Sequence, residues 1–128
     1  MVIGRAGIIC HTNDDDILLV LSGTPSKLGL PKGHKEDNED LWSCAMRETR
    51  EETGICFNHY DEVWISDDIQ FFIVHEDIDH TQLIQADSDE IADVKLLPYK
   101  DILEFKNTAF INKSLRNYLN FKEKTVKD

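Results

Sequence analysis

Hydrophobic positions change their period several times along the chain, and each change marks an element. Residues 2–11 (VIGRAGIICH) and 17–22 (ILLVLS) are apolar runs of strand length, more continuous than alternating, as in strands covered on both faces. Between them NDDD (13–16) concentrates turn-forming residues, so the pair reads as a hairpin. The next stretch, SGTPSKLGLPKG (22–33), loses all periodicity and is rich in Gly, Pro and Ser, which predicts a loop. From about 39 to 53 the period becomes helical. Leu41, Trp42, Ala45 and Met46 make a packing stripe, while Glu48, Glu51 and Glu52 share another face. Asp37 and Asn38 are capping candidates at its start, and Gly54 is a natural C-cap. Residues 62–66 and 69–76 read as strands, carrying Val63, Trp64 and Ile65, then Phe71, Phe72, Ile73 and Val74. The polar segment 77–90 reads as a surface loop. A strand at 92–97 leads through Pro98 to a short helix at about 99–106. A last helix, at about 108–122, aligns Ile111, Leu115, Tyr118 and Leu119, and the final KEKTVKD is expected to fray. Strands on either side of a central helix, with a helix at the end, fit an α/β/α sandwich.

Composition narrows this further. At 128 residues, 41% hydrophobic and 30% charged, the chain suits one soluble globular domain spanning 1–128. The formal net charge of -11 argues against a general nucleic-acid or acidic-membrane surface, because phosphate would be repelled over most of the protein. A phosphate-bearing ligand therefore needs a local basic patch and bound cations, and no stable nucleic-acid or membrane partner is expected. Cys10, Cys44 and Cys56 lack metal-ligand spacing and read as small buried hydrophobes in a reducing compartment. No apolar run is long enough to span a membrane or form a signal peptide, which points to the cytoplasm.

The chemistry concentrates in residues 33–55, GHKEDNEDLWSCAMRETREETGI. Three carboxylates within about one turn repel one another, and each tends to keep its proton unless a cation neutralises the group. Hard divalent cations accept such oxygen ligands; Mg2+ typically takes one or two carboxylates plus waters and substrate phosphate oxygens. By charge pattern alone, a solvated acidic face with Arg47 paired to Glu51 at i,i+4 fits equally well. Lys27, Lys32 and Lys35 bracket the start of the stretch and form the basic cluster nearest to it.

The full spacing resembles the Nudix box, Gly-x5-Glu-x7-Arg-Glu-U-x-Glu-Glu-x-Gly-U with U a bulky aliphatic residue. Gly33, Glu39, Arg47, Glu48, Glu51, Glu52, Gly54 and Ile55 match it, and Thr49 departs from it at the first U position. Threonine is close to valine in shape but must place its hydroxyl. The resemblance implies the Nudix fold, a mixed sheet packed between helices, and hydrolysis of a phosphoanhydride bond in a nucleoside diphosphate linked to another group. It implies Mg2+ or Mn2+ as cofactor, ligated by Glu48, Glu52, Glu51 and the backbone carbonyl of Lys32. Arg47 would orient the glutamates, Glu39 would fix the loop–helix turn, and Gly33 and Gly54 would supply backbone freedom. The general base in this family is a box glutamate, Glu51 or Glu52 here, or a carboxylate from a later loop. Glu90, in SDEIADVKLLP, is the candidate of the second kind, with Asp87 and Asp89 beside it.

For the substrate, LPKGH (30–34), RAGIIC (5–10) and LLPYKDILEF resemble small diadenosine tetraphosphate hydrolases. Lys27, Lys32, Lys35, His34 and Phe72 are the expected substrate contacts, with Tyr99 a second stacking candidate and His75 near the pocket. Leu28 stands where relatives commonly carry tryptophan. PKG followed by CAMRE is also similar to mRNA-decapping or RNA 5'-pyrophosphohydrolase relatives, and diphosphoinositol polyphosphate phosphohydrolases are a third. A catalytically inactive nucleotide-binding sensor is the alternative of a different class; such modules tend to lose box carboxylates, which are all present here.

Overall fold

A computed structural model of the chain describes residues 2–23, 25–78, 80–83 and 91–126. The apolar runs become strands β1 (Arg5–His11) and β2 (Asp16–Ser22), joined by the NDDD hairpin. In that turn Asp15 takes a left-handed φ of 59°. The supposed loop 22–33 holds two short strands, β3 (Leu28–Gly29) and β4 (Lys32–His34). Helix α1 (Leu41–Thr53) follows, then β5 (Glu62–Ser66), β6 (Ile69–His75), a 3-10 turn (His80–Gln82), β7 (Ile91–Pro98), α2 (Tyr99–Glu104) and α3 (Lys113–Val126).

Among the described residues, seven strands form one mixed sheet. Its main path runs β3-β2-β1-β6-β5, with β4 added to β1 and β7 to β2. β1 runs parallel to β6 along its whole length, from Arg5↔Ile69 to His11↔His75. Every other strand pair is antiparallel. Since β6 takes one edge of β1 completely, β2 and β4 must share the other. β2 registers with β1 only at His11↔Ile17 before the two part. The chain from Leu28 to His34 fills the fork they leave, pairing first with β2 at Val20↔Gly29 and then with β1 at Ala6↔Gly33. This wedge brings Lys32 and Gly33 under α1.

Both faces of the sheet are covered, which is why β1, β2 and β6 read as nearly unbroken apolar runs. On one face Ala6, Ile8, Cys10, Leu18, Val20, Phe72, Val74, Val94 and Leu96 pack with Cys44 and Ala45 of α1. Leu41, Trp42 and Met46 lie partly buried against the same cluster, so the expected stripe forms. On the other face Ile9, Ile17, Leu19, Phe71 and Ile73 meet Ile102 of α2 and Leu115, Tyr118 and Leu119 of α3. The α/β/α sandwich is thereby realised.

Several expectations at finer scale are corrected. Asp40 caps α1 through a 2.8 Å bond from the Ser43 N–H, in place of Asp37 or Asn38. The last helix begins at Lys113, five residues later than its apolar period suggests, and continues to Val126 through residues expected to fray. Ile111 is buried, yet it lies outside the helix in a bridge to Leu28. Cys56 is exposed, whereas Cys10 and Cys44 are buried; burial pushes the Cys10 thiol up to about 12. Among the described residues no helix is long and apolar enough to cross a membrane.

Candidate active site

Helix α1 carries the site because both its ends are fastened. Asp40 caps its start, and Gly54 closes it in the left-handed region (φ 80°), donating its N–H to the Arg50 carbonyl. Within the helix Arg47 organises the acidic face. Its guanidinium grips Glu39 as a fork, with Nε to Oε2 at 2.6 Å and Nη2 to Oε1 at 3.0 Å. Nη1 reaches Glu48 Oε1 at 2.8 Å and both oxygens of Glu51 at 3.3 Å, while Nη2 also donates to the His34 carbonyl at 3.0 Å. The i,i+4 pair read from the sequence is therefore one spoke of a hub that ties the loop before the helix to the helix itself.

The electrostatics follow from this hub. The guanidinium bonded to Glu39 holds that carboxyl down to about 2, and the same bonds push Arg47 further above its ordinary value. Glu48 moves the opposite way. Burial raises its carboxyl, the charges of Glu51 and Glu39 add to the rise, and the hydrogen bond from Arg47 opposes it. One arginine does not neutralise three glutamates.

Gly33 explains how Glu48 fits. A Cβ on Gly33 would lie 1.9 Å from Glu48 Oε2 and 2.0 Å from its Cδ. This glycine is required for space, not for the backbone freedom expected of it. Glu52 sits further along the helix, 9% exposed, and its Oε1 accepts the Lys32 N–H at 3.4 Å.

Glu52 also lines a cleft of about 140 Å³ that is walled by Lys32, Leu30, Gly29, Lys27, Ser22, Val20, Ile91 and Asn112. Of the expected substrate contacts, the structure therefore brings Lys27 and Lys32 together with Glu52. Lys35 is exposed and donates to the Glu36 carbonyl, and the His34 side chain is exposed; neither lines the cleft. Phe72 is 3% exposed in the core beneath α1, against Trp42 and Tyr60, so it faces no ligand. Tyr99 packs partly buried against the core on the other face, and His75 stacks on His11 at 5.6 Å. Neither lines the cleft. Glu90, Asp87 and Asp89 lie outside the described residues. Ser22 and Asn112 also line the cleft, and no motif marks Ser22; the Asn-Lys-Ser run at 112–114 is a capping signal that marks the start of α3.

Among the described residues no three His, Cys, Asp or Glu side chains form a ready-made metal cage. Mg2+ does not require one, since it draws most ligands from water and phosphate. The chemistry of the donor set fits such an ion: Glu48 is a carboxylate raised by burial, and Glu52 is a nearly buried carboxylate held beside the Lys32 backbone.

A family model for the NUDIX domain matches residues 2–118, and the chain belongs to the Nudix family. Among curated proteins, Nudix hydrolase 25 of Arabidopsis thaliana is 43% identical over 49 residues, which cover 37% of this chain and 28% of that protein. Bis(5'-nucleosyl)-tetraphosphatase (asymmetrical) of Caenorhabditis elegans is 37% identical over 59 residues, 43% of each chain. The chain thus matches less than half the length of either relative. Among solved structures, an Ap4A hydrolase binary complex from C. elegans superposes with a TM-score of 0.65 at 20% identity, covering 96% of this chain and 98% of that one. A NUDIX hydrolase from Nitrosomonas europaea gives 0.68 at 20% identity, over 99% and 91%. These structural likenesses establish the Nudix fold.

Proposed function

We propose that the chain hydrolyses a phosphoanhydride bond in a nucleoside diphosphate linked to another group, with a divalent cation, and that the substrate is a dinucleoside polyphosphate such as diadenosine tetraphosphate. The observation that carries this reading is Glu52, a nearly buried carboxylate beside the Lys32 backbone, on a cleft that also holds Lys27. An acid and two lysines on one small cleft suit a substrate that arrives as an anion with a cation. The tetraphosphatase relative lends its named substrate to the proposal.

Glu48 and Glu52, with Glu51 beside them and the Lys32 carbonyl, are the groups that would hold Mg2+ or Mn2+. Such an ion, when bound, neutralises phosphoryl charge and makes water a better nucleophile. The protein's own residues do the rest. Arg47 fixes Glu48 and Glu51 in orientation. Lys27 and Lys32 balance the phosphate chain as point charges. The proton of the attacking water passes to a carboxylate. Glu52 is the one on the cleft among the described residues, and Glu90 is the alternative. Three free cysteines, Cys10, Cys44 and Cys56, agree with a reducing, cytoplasmic setting.

The test is nucleotide release from diadenosine tetraphosphate with Mg2+, with and without chelator, in the wild type and in Glu52→Gln. Turnover should vanish with chelator and in the variant while the fold persists. Near-normal magnesium-dependent turnover in Glu52→Gln would sink the assignment, and binding without turnover in the wild type would favour a sensor.

A further inference from the structure

The cleft continues past the acidic helix to a second group of hydrogen-bond donors. Gly29, three residues before Lys32 and so at most about 10 Å of chain away, packs against Asn112. A Cβ on Gly29 would lie 3.1 Å from Asn112 Cβ. The contact is built by backbone bonds, Leu28 N–H to the Phe110 carbonyl and Asn112 N–H to the Leu28 carbonyl, both at 2.8 Å. The oxygen of the Asn112 amide is committed to α3. Oδ1 accepts the Ser114 N–H at 3.1 Å and the Ser114 hydroxyl at 2.9 Å. A backbone N–H can only donate, so this contact fixes the orientation of the amide. Its two Nδ2–H donors remain, and no acceptor among the described residues meets them. Lys27 lies on the same cleft, held by a reciprocal clamp. The Lys27 N–H donates to Ser22 Oγ at 2.9 Å, the Ser22 N–H donates to the Lys27 carbonyl at 2.9 Å, and Ser22 Oγ donates to the Pro25 carbonyl at 2.7 Å.

We propose that Asn112 and Lys27 form an outer phosphate grip, holding phosphoryl oxygens beyond the pair that lies beside Glu52 and Lys32, and so select polyphosphate chains of three or more phosphates. This rests on the proposed hydrolysis and specifies its substrate class. Two amide donors and an ammonium oppose an anion, whereas a neutral sugar would leave the Lys27 charge without a counterpart.

Asn112→Asp isolates the grip. Aspartate caps a helix as well as asparagine and suits the positive helix N-terminus, but it replaces the Nδ2 donors with an anionic oxygen. Inorganic tripolyphosphate and pyrophosphate are titrated calorimetrically into the full chain in Mg2+ buffer, beside thermal melts. The wild type should bind tripolyphosphate about tenfold or more tighter than pyrophosphate. Asn112→Asp should erase that preference without lowering the melting temperature, Lys27→Gln should reduce it, and KM for diadenosine tetraphosphate should rise in both variants. A wild type with no preference, or an Asn112→Asp protein that keeps it, overturns the grip. If the wild type shows the preference yet hydrolyses nothing, the hydrolase reading fails and the grip stands.

Discussion

Thr49, the one departure from the box pattern, sets up an internal comparison with Thr53 one turn later. Both are fully buried on α1. The Thr53 hydroxyl is satisfied twice, donating to the Thr49 carbonyl at 2.7 Å and accepting the Ile55 N–H at 3.1 Å. The Thr49 hydroxyl has no hydrogen-bond partner among the described residues. Leaving a buried hydroxyl unpaired costs about 1–3 kcal/mol. Valine has nearly the same shape and a similar helix propensity, so Thr49→Val removes the penalty and leaves packing and backbone almost unchanged. The expected gain is about 1–2 kcal/mol, or about 3–6 °C in melting temperature for a domain of this size. Thr53→Val makes the same chemical change with the opposite consequence. It strands the Ile55 N–H and should cost about 1–2 kcal/mol. Urea unfolding of both variants is the assay, with an unchanged m-value confirming that only stability moved. A Thr49→Val protein that is less stable than wild type, or two variants that shift in the same direction, would refute the reasoning.

Gly33→Ala should separate activity from stability. The atoms it strikes belong to the movable end of Glu48, so the melting temperature should change by only a few degrees. The carboxylate must nevertheless shift by more than 1 Å, which predicts a fall in turnover of about 100-fold, measured by steady-state hydrolysis. His11 makes stability depend on pH. It is 3% exposed, with Nδ1 3.0 Å from Asp15 and Nε2 2.6 Å from the Tyr118 hydroxyl, and burial lowers its pKa despite the Asp15 bond. Below about pH 6.5 the unfolded chain takes up the proton before the folded one does, so His11's contribution is complete above that pH and shrinks as pH falls through it. Urea midpoints should drop between pH 7.5 and 5.5, and His11→Gln should flatten that segment; an equal slope in the variant would refute it.

Features carried by local spacing were legible in the sequence. The stripe from Leu41 to Met46, the Gly54 cap and the pairing of Arg47 with Glu51 depend on residues within a few positions of one another, and these appear as expected. Errors fall where distant segments decide. Ile111 keeps step with Leu115 and Leu119, but its burial comes from a bridge to Leu28, so its period records a buried face and not a helix. Residues 28–29 and 32–34 look like loop because nothing in their composition reveals the fork between β1 and β2 that they fill. Phe72 illustrates the same limit for the site. An aromatic residue near the box suits base stacking or core packing equally by sequence, and only the fold shows which of its neighbours, Trp42 and Tyr60, it meets.

The same distinction separates reaction from substrate. The glutamates proposed to hold the cation and the arginine that organises them lie on one helix, tied by Arg47 to the loop before it, so a local motif carries them. The cleft draws on five separate places: the end of β2, the wedge, the end of α1, the start of β7 and the cap of α3. If the proposed reaction holds, a substitution in α1 that breaks the hub should remove turnover whatever the ligand, because Glu48 and Glu51 lose their shared partner. A substitution at Lys27 or Asn112 touches no contact of the hub and, under the proposed grip, should alter what the cleft accepts. Chains sharing this box can therefore diverge in substrate through cleft positions that box spacing does not constrain, and the Asn112→Asp comparison of tripolyphosphate with pyrophosphate measures that freedom directly.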